Sequence, residues 1–199
     1  EGDLEAAAEH LRKTGIAKAD KKAGRVAAEG VIAAAVAGDG HLGAMVEVNS
    51  ETDFVANGDD FRAFANAVAE KALALGTADV EALTRAELDG GKTVDESRRE
   101  LTAKVGENIT VRRAALVEST GTISYYSHGG RIGVLVAYEG GDDQLGLDLA
   151  MHVAASRPMY LDEAAVPAET LEKGREIRIA QAEGSGTPTN IIEKTVEGR

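Results

Sequence analysis

The 199-residue sequence contains no cysteine, which removes disulfide bonds, thiolate zinc sites and cysteine nucleophiles from consideration together. It also lacks any run of the roughly 18 apolar residues that a membrane-spanning helix needs. Its first residues, Glu1, Gly2 and Asp3, do not show the basic-then-apolar pattern of a signal peptide. These absences predict a soluble protein of a reducing compartment, the cytoplasm, with no membrane partner.

Sequence motifs of common catalytic sites are missing as well. There is no G-x-x-x-x-G-K-[ST] phosphate loop, no helix-opening G-x-G-x-x-G, no H-E-x-x-H metal site and no G-x-S-x-G nucleophile elbow. His152 lies within an apolar helical stretch and is interpreted as a packed structural residue. His128 falls on a predicted turn, either as an ordinary polar turn residue or as a contact for a partner. We therefore predict no enzyme, no metal site and no cofactor.

Basic residues are outnumbered, with 22 Lys and Arg against 34 Asp and Glu, so the formal net charge is −12. Residues 30–60 contain no lysine or arginine, and this acidic stretch is either a solvated face or a surface that attracts a basic partner. Residues 12–25 carry six basic residues against the single Asp20. That cluster is a candidate contact for nucleic acid, but without interleaved aromatic residues it reads better as a helix end and linker. Overall the charge predicts protein or small-molecule partners and no direct nucleic-acid binding.

The hydrophobic pattern repeats once along the chain. Residues 31–37 and 42–48 alternate as two strands around Gly38-Asp39-Gly40, and a helix with apolar positions from Phe61 to Leu75 follows. The same order returns as strands over 123–127 and 132–138 around a glycine turn, with a helix over 142–155. A hairpin covered by a helix is a typical α+β layer.

The first copy is longer than the second between its second strand and its helix. Gly43 corresponds to Gly133, ninety positions later, whereas Gly58 corresponds to Gly141, eighty-three positions later. The surplus of seven residues matches Ser50 to Ala56, which predicts an added loop carrying Phe54. Phe54 either folds back into the core or projects as a hydrophobic anchor, and the sister copy, which closes without such a residue, favours projection.

The remaining segments predict further elements. Residues 108–117 read as a third strand for the first sheet, and residues 77–103 as helical with a break at Gly90-Gly91. Pro167 opens a helix to Gln181, and a Gly and Pro turn followed by a helix over 189–199 predicts an antiparallel helical hairpin. A short helix over residues 3–13 has nothing before it to pack on, and the second copy lacks a matching third strand, so we expect the chain to be clipped at both ends.

Several segments together resemble the elongation factor Ts family. The most specific is Val46 to Asn57, which contains the letters TDFVAN and is similar to the signature segment of that family. Similarity extends over essentially the whole chain and includes further motifs: Lys104-Val105-Gly106-Glu107-Asn108 with Arg112-Arg113, Ser127 to Gly133, and Met151 to Ala155.

The resemblance implies a two-part core of α+β class, with two related subdomains whose antiparallel sheets are covered by helices, and a helical coiled-coil hairpin. Residues 1–27 would be the last helix of an N-terminal domain and a linker, and 28–120 the N-terminal core subdomain. Residues 121–160 would be an incomplete C-terminal core subdomain and 161–199 the hairpin.

The resemblance also implies a function, guanine-nucleotide exchange on elongation factor Tu. The factor would bind the GDP-bound GTPase, promote loss of Mg²⁺ and GDP, and stay on the nucleotide-free form until GTP enters. Asp53 and Phe54 would approach the Mg²⁺ side of the GTPase, with Thr52 and Val55 holding the loop. Val105, Gly106 and His128 would make further contacts.

Two other functions stay open at this point. One is a small hydrolase or transferase using His128 with a nearby carboxylate, which requires a concave pocket of perturbed titratable groups. The other is a passive scaffold that forms a homodimer through the hairpin over Pro167 to Arg199.

Overall fold

The computed structural model describes Asp3, Gly15, Ala17 and residues 19–184, of which 182–184 are described by their backbone alone. The helix predicted over residues 3–13 and the second hairpin helix over 189–199 lie outside the described residues. The chain divides into two compact units between Ser156 and Arg157, and each is described by itself.

A three-stranded antiparallel sheet organises the first unit. Strand β1 spans Glu29–Val36, β2 spans Leu42–Ser50 and β3 spans Thr110–Glu118, in the order β1-β2-β3. The turn between β1 and β2 contains Gly40 at φ 75°, a left-handed conformation that suits glycine. The predicted hairpin and third strand are confirmed.

Four helices lie between β2 and β3 in the chain, and together they cover one face of this sheet. Buried residues of the sheet and the long helix α2 form the core, with Phe61 almost fully buried. Leu75, predicted to share that apolar face, is instead 51% exposed, because it is the last residue of the helix before the left-handed cap Gly76. The helices are α1 (Asp53–Ala56), α2 (Asp59–Leu75), α3 (Val80–Arg85) and α4 (Val94–Val105).

The second copy of the motif is present as predicted. Strands β4 (Thr122–His128) and β5 (Ile132–Tyr138) form a two-stranded antiparallel sheet, and helix α5 (Asp143–Ser156) packs on it. The residues of α5 that are buried are small and spaced four apart: Gly146, Ala150 and Ala154. His152 lies off that face and is exposed, so its interpretation as a packed residue is wrong.

The two sheets contact each other through the glycines that mark the repeat. A Cβ added at Gly133 would lie 2.4 Å from Ile32 Cγ2, and one added at Gly43 would lie 3.1 Å from Ile123 Cγ2. The backbone amide of Ile32 also donates to the carbonyl of Gly130 at 2.6 Å. In each copy, the glycine at the equivalent position leaves room for an isoleucine side chain of the other copy.

The second unit begins at Arg157. It contains a 3-10 turn at Glu163–Ala165, capped by the side chain of Asp162, and helix α6 at Ala168–Gly184. The first helix of the predicted hairpin is thus present directly after Pro167. Within the ranges that the structure describes, no helix is long and apolar enough to cross a membrane. Antiparallel sheets packed with helices confirm the α+β class.

Candidate partner-binding site

The segment Ser50 to Ala56 is not a loop throughout. Ser50 is the last residue of β2, pairs with Glu29 and is fully buried. Strand β2 has nine residues against seven in β5, so part of the surplus of the first copy lengthens the strand. The rest forms the single turn of helix α1, Asp53–Ala56. The prediction of a simple added loop is wrong, because the ladder with β1 and the core contact of Ala56 order both ends.

Helix α1 presents one side to the core and the other to solvent. Ala56 is 4% exposed and Val55 packs against the core cluster, which fixes the inner side of the turn. Asp53 is exposed, and Phe54 is 86% exposed. We call residues Thr52 to Val55 the tip. Phe54 therefore projects, and the alternative that it plugs the core is wrong.

Thr52 is the N-cap of the tip. Its backbone is extended (φ −123°, ψ 157°), and its hydroxyl oxygen accepts the amide hydrogen of Val55 at 3.5 Å. The hydroxyl of Ser50 donates to the carbonyl of Thr52 at 2.9 Å. These two bonds tie Thr52 to residues on either side of it in the chain.

Thr52 is in turn held by a carboxylate from the segment that follows α4. Its amide donates to Glu107 Oε2 at 3.0 Å and its hydroxyl to Glu107 Oε1 at 2.6 Å. In the reverse direction, the amide of Asn108 donates to Glu51 Oε1 at 2.6 Å. We call these bonds between Glu51-Thr52 and Glu107-Asn108 the clamp. The clamp joins the tip to the end of α4 beside the last pairs of the β2–β3 ladder.

Val105 and Gly106 lie at the same end of α4. Val105 is the last residue of the helix and packs partly against the core, and Gly106 is its cap at φ 81°. A left-handed cap is the usual place for glycine, because it closes a helix without a Cβ penalty. Both residues immediately precede Glu107, so the structure brings them beside the tip.

The linker residues 22–25 are bonded to the clamp. The Lys22 ammonium donates to the carbonyl of Gly106. The Asn108 side chain donates to the carbonyl of Arg25 at 2.7 Å, and the Arg25 guanidinium pairs with Glu51 at 2.7 Å. This part of the basic cluster is thus engaged with the protein itself, as the helix-end and linker interpretation requires.

His128 lies at the end of β4, in the turn before β5. It is exposed, and its Nδ1 is 3.1 Å from the hydroxyl of Tyr126. The turn contacts the first half of β1, since Arg131 pairs with Glu29 at 2.9 Å. Because Glu29 pairs with Ser50, this turn and the tip lie towards the same end of the three-stranded sheet.

Exposed acidic residues lie in the tip and a few positions after it in the chain. Asp53 is part of it, and Asp59 and Asp60 begin helix α2 three residues after α1. Lys104 Nζ bonds to Asp60 Oδ2 at 2.5 Å. Glu51 and Glu107 are occupied in the clamp, whereas Asp53 and Asp59 face solvent.

Titratable groups with displaced pKa values lie elsewhere. Burial favours the neutral form of Glu47, but hydrogen bonds from Arg113 and Asn49 and nearby guanidinium charges outweigh it and lower its pKa. Hydrogen bonds from the amide and hydroxyl of Thr93 lower the pKa of Glu96 at the start of α4. Among the described residues, no group of three or more His, Asp or Glu is placed to hold a metal ion.

Sequence reasoning missed Glu107, Glu51 and Asn108 as site residues. Glu107 is 55 positions from Thr52, and no periodicity links residues so far apart. Its presence in the motif around Val105 and Gly106 was the available signal.

Comparisons with known proteins identify the family of the chain. The sequence profile of the family described as "Elongation factor TS" matches residues 51–199. Proteins named elongation factor Ts from Methylococcus capsulatus and Hydrogenovibrio crunogenus are 59% and 57% identical over 199 residues, covering all of this chain and 68% of each relative. The elongation factor Ts of Arthrospira platensis is 53% identical, and the chain covers 81% of it. The chain belongs to the elongation factor Ts family.

Proposed function

We propose that this protein is a guanine-nucleotide exchange factor for elongation factor Tu in translation elongation. It binds the GDP form of the GTPase, promotes release of Mg²⁺ and GDP, and remains on the nucleotide-free form until GTP enters. Family membership supports the role in general. The observation that carries the mechanism is Phe54, which is 86% exposed on an otherwise anchored turn.

An exposed phenylalanine on an ordered support is suited to a binding role. A large aromatic side chain that enters a pocket on a partner typically dominates the affinity of an interface. The turn that carries Phe54 is fixed by the core contact of Ala56 and by the clamp, so little conformational freedom is lost when it binds. Phe54 thus has the properties of a hydrophobic wedge.

The wedge weakens nucleotide binding by moving groups that support the metal ion. Mg²⁺ requires near-ideal octahedral geometry, so a small displacement of its protein ligands costs much of its affinity. Phe54 supplies the displacement, and Asp53 lies beside it as an acidic neighbour. The exchange factor needs no metal, cofactor, catalytic acid or catalytic base of its own for this work.

Further residues act as contacts around the wedge. Val105 and Gly106 lie against the GTPase domain from the end of α4, Thr52 and Val55 hold the turn, and His128 contacts the phosphate-loop region. The positions of Gly106 next to the clamp and of His128 towards the same end of the sheet support this assignment.

Cytoplasmic location and the absence of a membrane or nucleic-acid partner follow from the same proposal. A homodimer through the helical hairpin is a separate prediction, because half of that hairpin lies outside the described residues.

Release of fluorescent GDP from elongation factor Tu tests the function. We expect the protein to accelerate release at saturating concentration, and excess Mg²⁺ to oppose it. Binding linkage is reciprocal. The factor by which the protein lowers the affinity of the GTPase for GDP must therefore equal the factor by which GDP lowers the affinity of the GTPase for the protein. A release rate equal to that of the GTPase alone contradicts the proposal.

A further inference from the structure

The Glu107 carboxylate is bonded to the tip but does not belong to it. We propose that Glu107 is a positioning residue, which holds Phe54 in the orientation that exchange requires. This inference rests on the proposed function and adds to it the group that keeps the wedge rigid.

Helix α1 cannot fix its own direction. It has four residues, and a single helical turn gains too few hydrogen bonds to offset the cost of forming it. Its C-terminal side is anchored by burial of Ala56, but Asp53 and Phe54 are exposed. The N-terminal side is therefore restrained from outside the turn, by the Ser50 hydroxyl on the carbonyl of Thr52 and by bonds from a second segment to the amide and hydroxyl of Thr52.

Glu107 supplies that restraint at two atoms of one residue. Oε2 accepts from the Thr52 amide at 3.0 Å and Oε1 from the Thr52 hydroxyl at 2.6 Å. Two simultaneous bonds fix the orientation of Thr52 as well as its position, and bonds to a charged acceptor are stronger than neutral ones. Because the Thr52 hydroxyl oxygen caps Val55, the restraint extends over the turn that contains Phe54.

Glu107 is itself held in place. It follows the cap Gly106, whose carbonyl accepts from Lys22, and precedes the buried Asn108, whose amide donates to Glu51. The carboxylate is thus presented by an ordered backbone from a second segment, which is what distinguishes a positioning group from a flexible surface contact.

A similar pair of bonds elsewhere in the unit, in which one carboxylate oxygen accepts from both groups of a threonine, offers a matched control. At the start of α4, Glu96 Oε2 accepts from the amide of Thr93 at 2.8 Å and from its hydroxyl at 3.0 Å. Replacing Glu96 by alanine removes an equivalent pair of bonds to a threonine, at the opposite end of the helix that precedes Glu107.

The first experiment compares GDP release from elongation factor Tu with wild type, Glu107→Ala, Glu96→Ala, Phe54→Ala and the double variant Phe54→Ala with Glu107→Ala. We expect Glu107→Ala to slow stimulated release by about tenfold, roughly the worth of one charge-assisted hydrogen bond. Glu96→Ala should stay within about twofold of wild type. If Glu107 acts through Phe54, the double variant should be no slower than Phe54→Ala alone.

The second experiment measures the tip without any partner. The sequence contains no tryptophan, so Phe54→Trp places a single tryptophan there, which can be excited at wavelengths where the four tyrosines do not absorb. Time-resolved anisotropy should show a larger fast local component when Glu107→Ala is added, and no change when Glu96→Ala is added. Should Glu107→Ala fail to fold, Glu107→Gln serves instead, since its amide retains the shape and loses the charge; it should show the same changes with smaller size.

The outcomes separate this inference from the function on which it rests. No acceleration by wild type refutes the exchange function itself. Acceleration that depends on Phe54 but is unchanged in Glu107→Ala, or is reduced equally by Glu96→Ala, overturns the positioning role alone. So does an unchanged anisotropy decay, or a loss in the double variant equal to the product of the two single losses.

Discussion

Phe54 contributes little to the stability of the fold, because a side chain that is 86% exposed gains almost nothing from burial. Its neighbours keep the turn ordered, because Ala56 is buried in the core and Thr52 is bonded to Glu107. At the scale of single residues, stability and function are therefore divided between adjacent positions of one turn.

Glu47 illustrates an ionised residue with a structural role. Its side chain is 11% exposed and pairs with Arg113 at 2.5 Å and Arg112 at 3.1 Å. These bonds, together with one from Asn49, outweigh the effect of burial and leave its pKa below the ordinary value of 4.5. A lowered carboxyl pKa stabilises the fold at pH values above 4.5, and the contribution disappears as pH falls through the folded-state pKa.

We predict that Glu47→Gln lowers the free energy of unfolding by up to about 1 kcal/mol at neutral pH, since both arginines are largely exposed. The difference from wild type should shrink below pH 4.5 as the wild-type carboxylate is protonated. Urea unfolding at a series of pH values measures this. A difference that stays constant or grows towards acid pH would show that the ion pairs do not stabilise the fold.

The exposure of Phe54 could be predicted from the sequence and the role of Glu107 could not. Comparison with the sister copy indicated that the first core closes without Phe54. Glu107 acts through bonds to a residue 55 positions away, and the direction of its side chain depends on the cap at Gly106. The motif around Val105 and Gly106 marks the segment, but the partner of Glu107 is a property of tertiary structure.

At the scale of elements, the helices differ in how they pack. Helix α2 buries phenylalanine and valine against the larger sheet, whereas α5 approaches β4 and β5 through Gly146, Ala150 and Ala154. Small residues allow the α5 backbone to come close to the strands, and they leave larger side chains such as Leu145 exposed at 43%.

We predict that Gly146→Ala destabilises the first unit. The added Cβ would lie 2.3 Å from Ser124 Oγ and 2.5 Å from a ring carbon of Tyr138, so helix and strands must separate. Overpacking typically costs about 1–3 kcal/mol, which exceeds the gain of roughly 1 kcal/mol from the better helix propensity of alanine. Denaturant unfolding should report a net loss.

Gly174→Ala is the control, because a Cβ there meets nothing within 4 Å. It should increase the helicity or stability of α6, where only the propensity effect applies. Equal behaviour of the two variants would contradict the tight packing of α5.

The periodicity of apolar residues predicted which segments are strands and which are helices, but it did not predict several of the residues at which they end. Alternation predicted β2 as far as Val48, while pairing with β1 carries it to Ser50. A four-residue helix such as α1 has too short a pattern to be recognised. Leu75 fitted the apolar spacing of α2 and is exposed because the helix ends there at Gly76.

At the scale of the whole molecule, the duplication explains the packing of the two sheets in the first unit. Gly43 and Gly133 occupy equivalent positions in the two copies, and each meets side chains of the other copy. The repeat was visible in the sequence, but the face-to-face contact of its halves was not, since two glycines ninety positions apart carry no pairing signal. The subdomain division near residue 120 and the hairpin of residues 161–199 stay predictions.

We predict that Gly133→Ala destabilises the contact between the sheets by about 1–3 kcal/mol. Its Cβ would lie 2.4 Å from Ile32 Cγ2 and 2.8 Å from Met45 Sδ. The double variant with Ile32→Ala removes the closest of these atoms and should be less destabilised than the sum of the two single variants. Strict additivity in urea unfolding would indicate that the two residues do not meet.

In the proposed mechanism, exchange depends on the projecting side chain of Phe54. The most direct measurement is stimulated GDP release from elongation factor Tu by wild type, by Phe54→Ala and by Leu75→Ala, which truncates another exposed apolar residue at the far end of α2. Loss of an interface anchor costs about 2 kcal/mol or more, so Phe54→Ala should reduce stimulation by roughly 30-fold while remaining as stable as wild type. Leu75→Ala should match wild type. If Phe54→Ala stimulates GDP release as strongly as wild type does, exchange does not depend on Phe54.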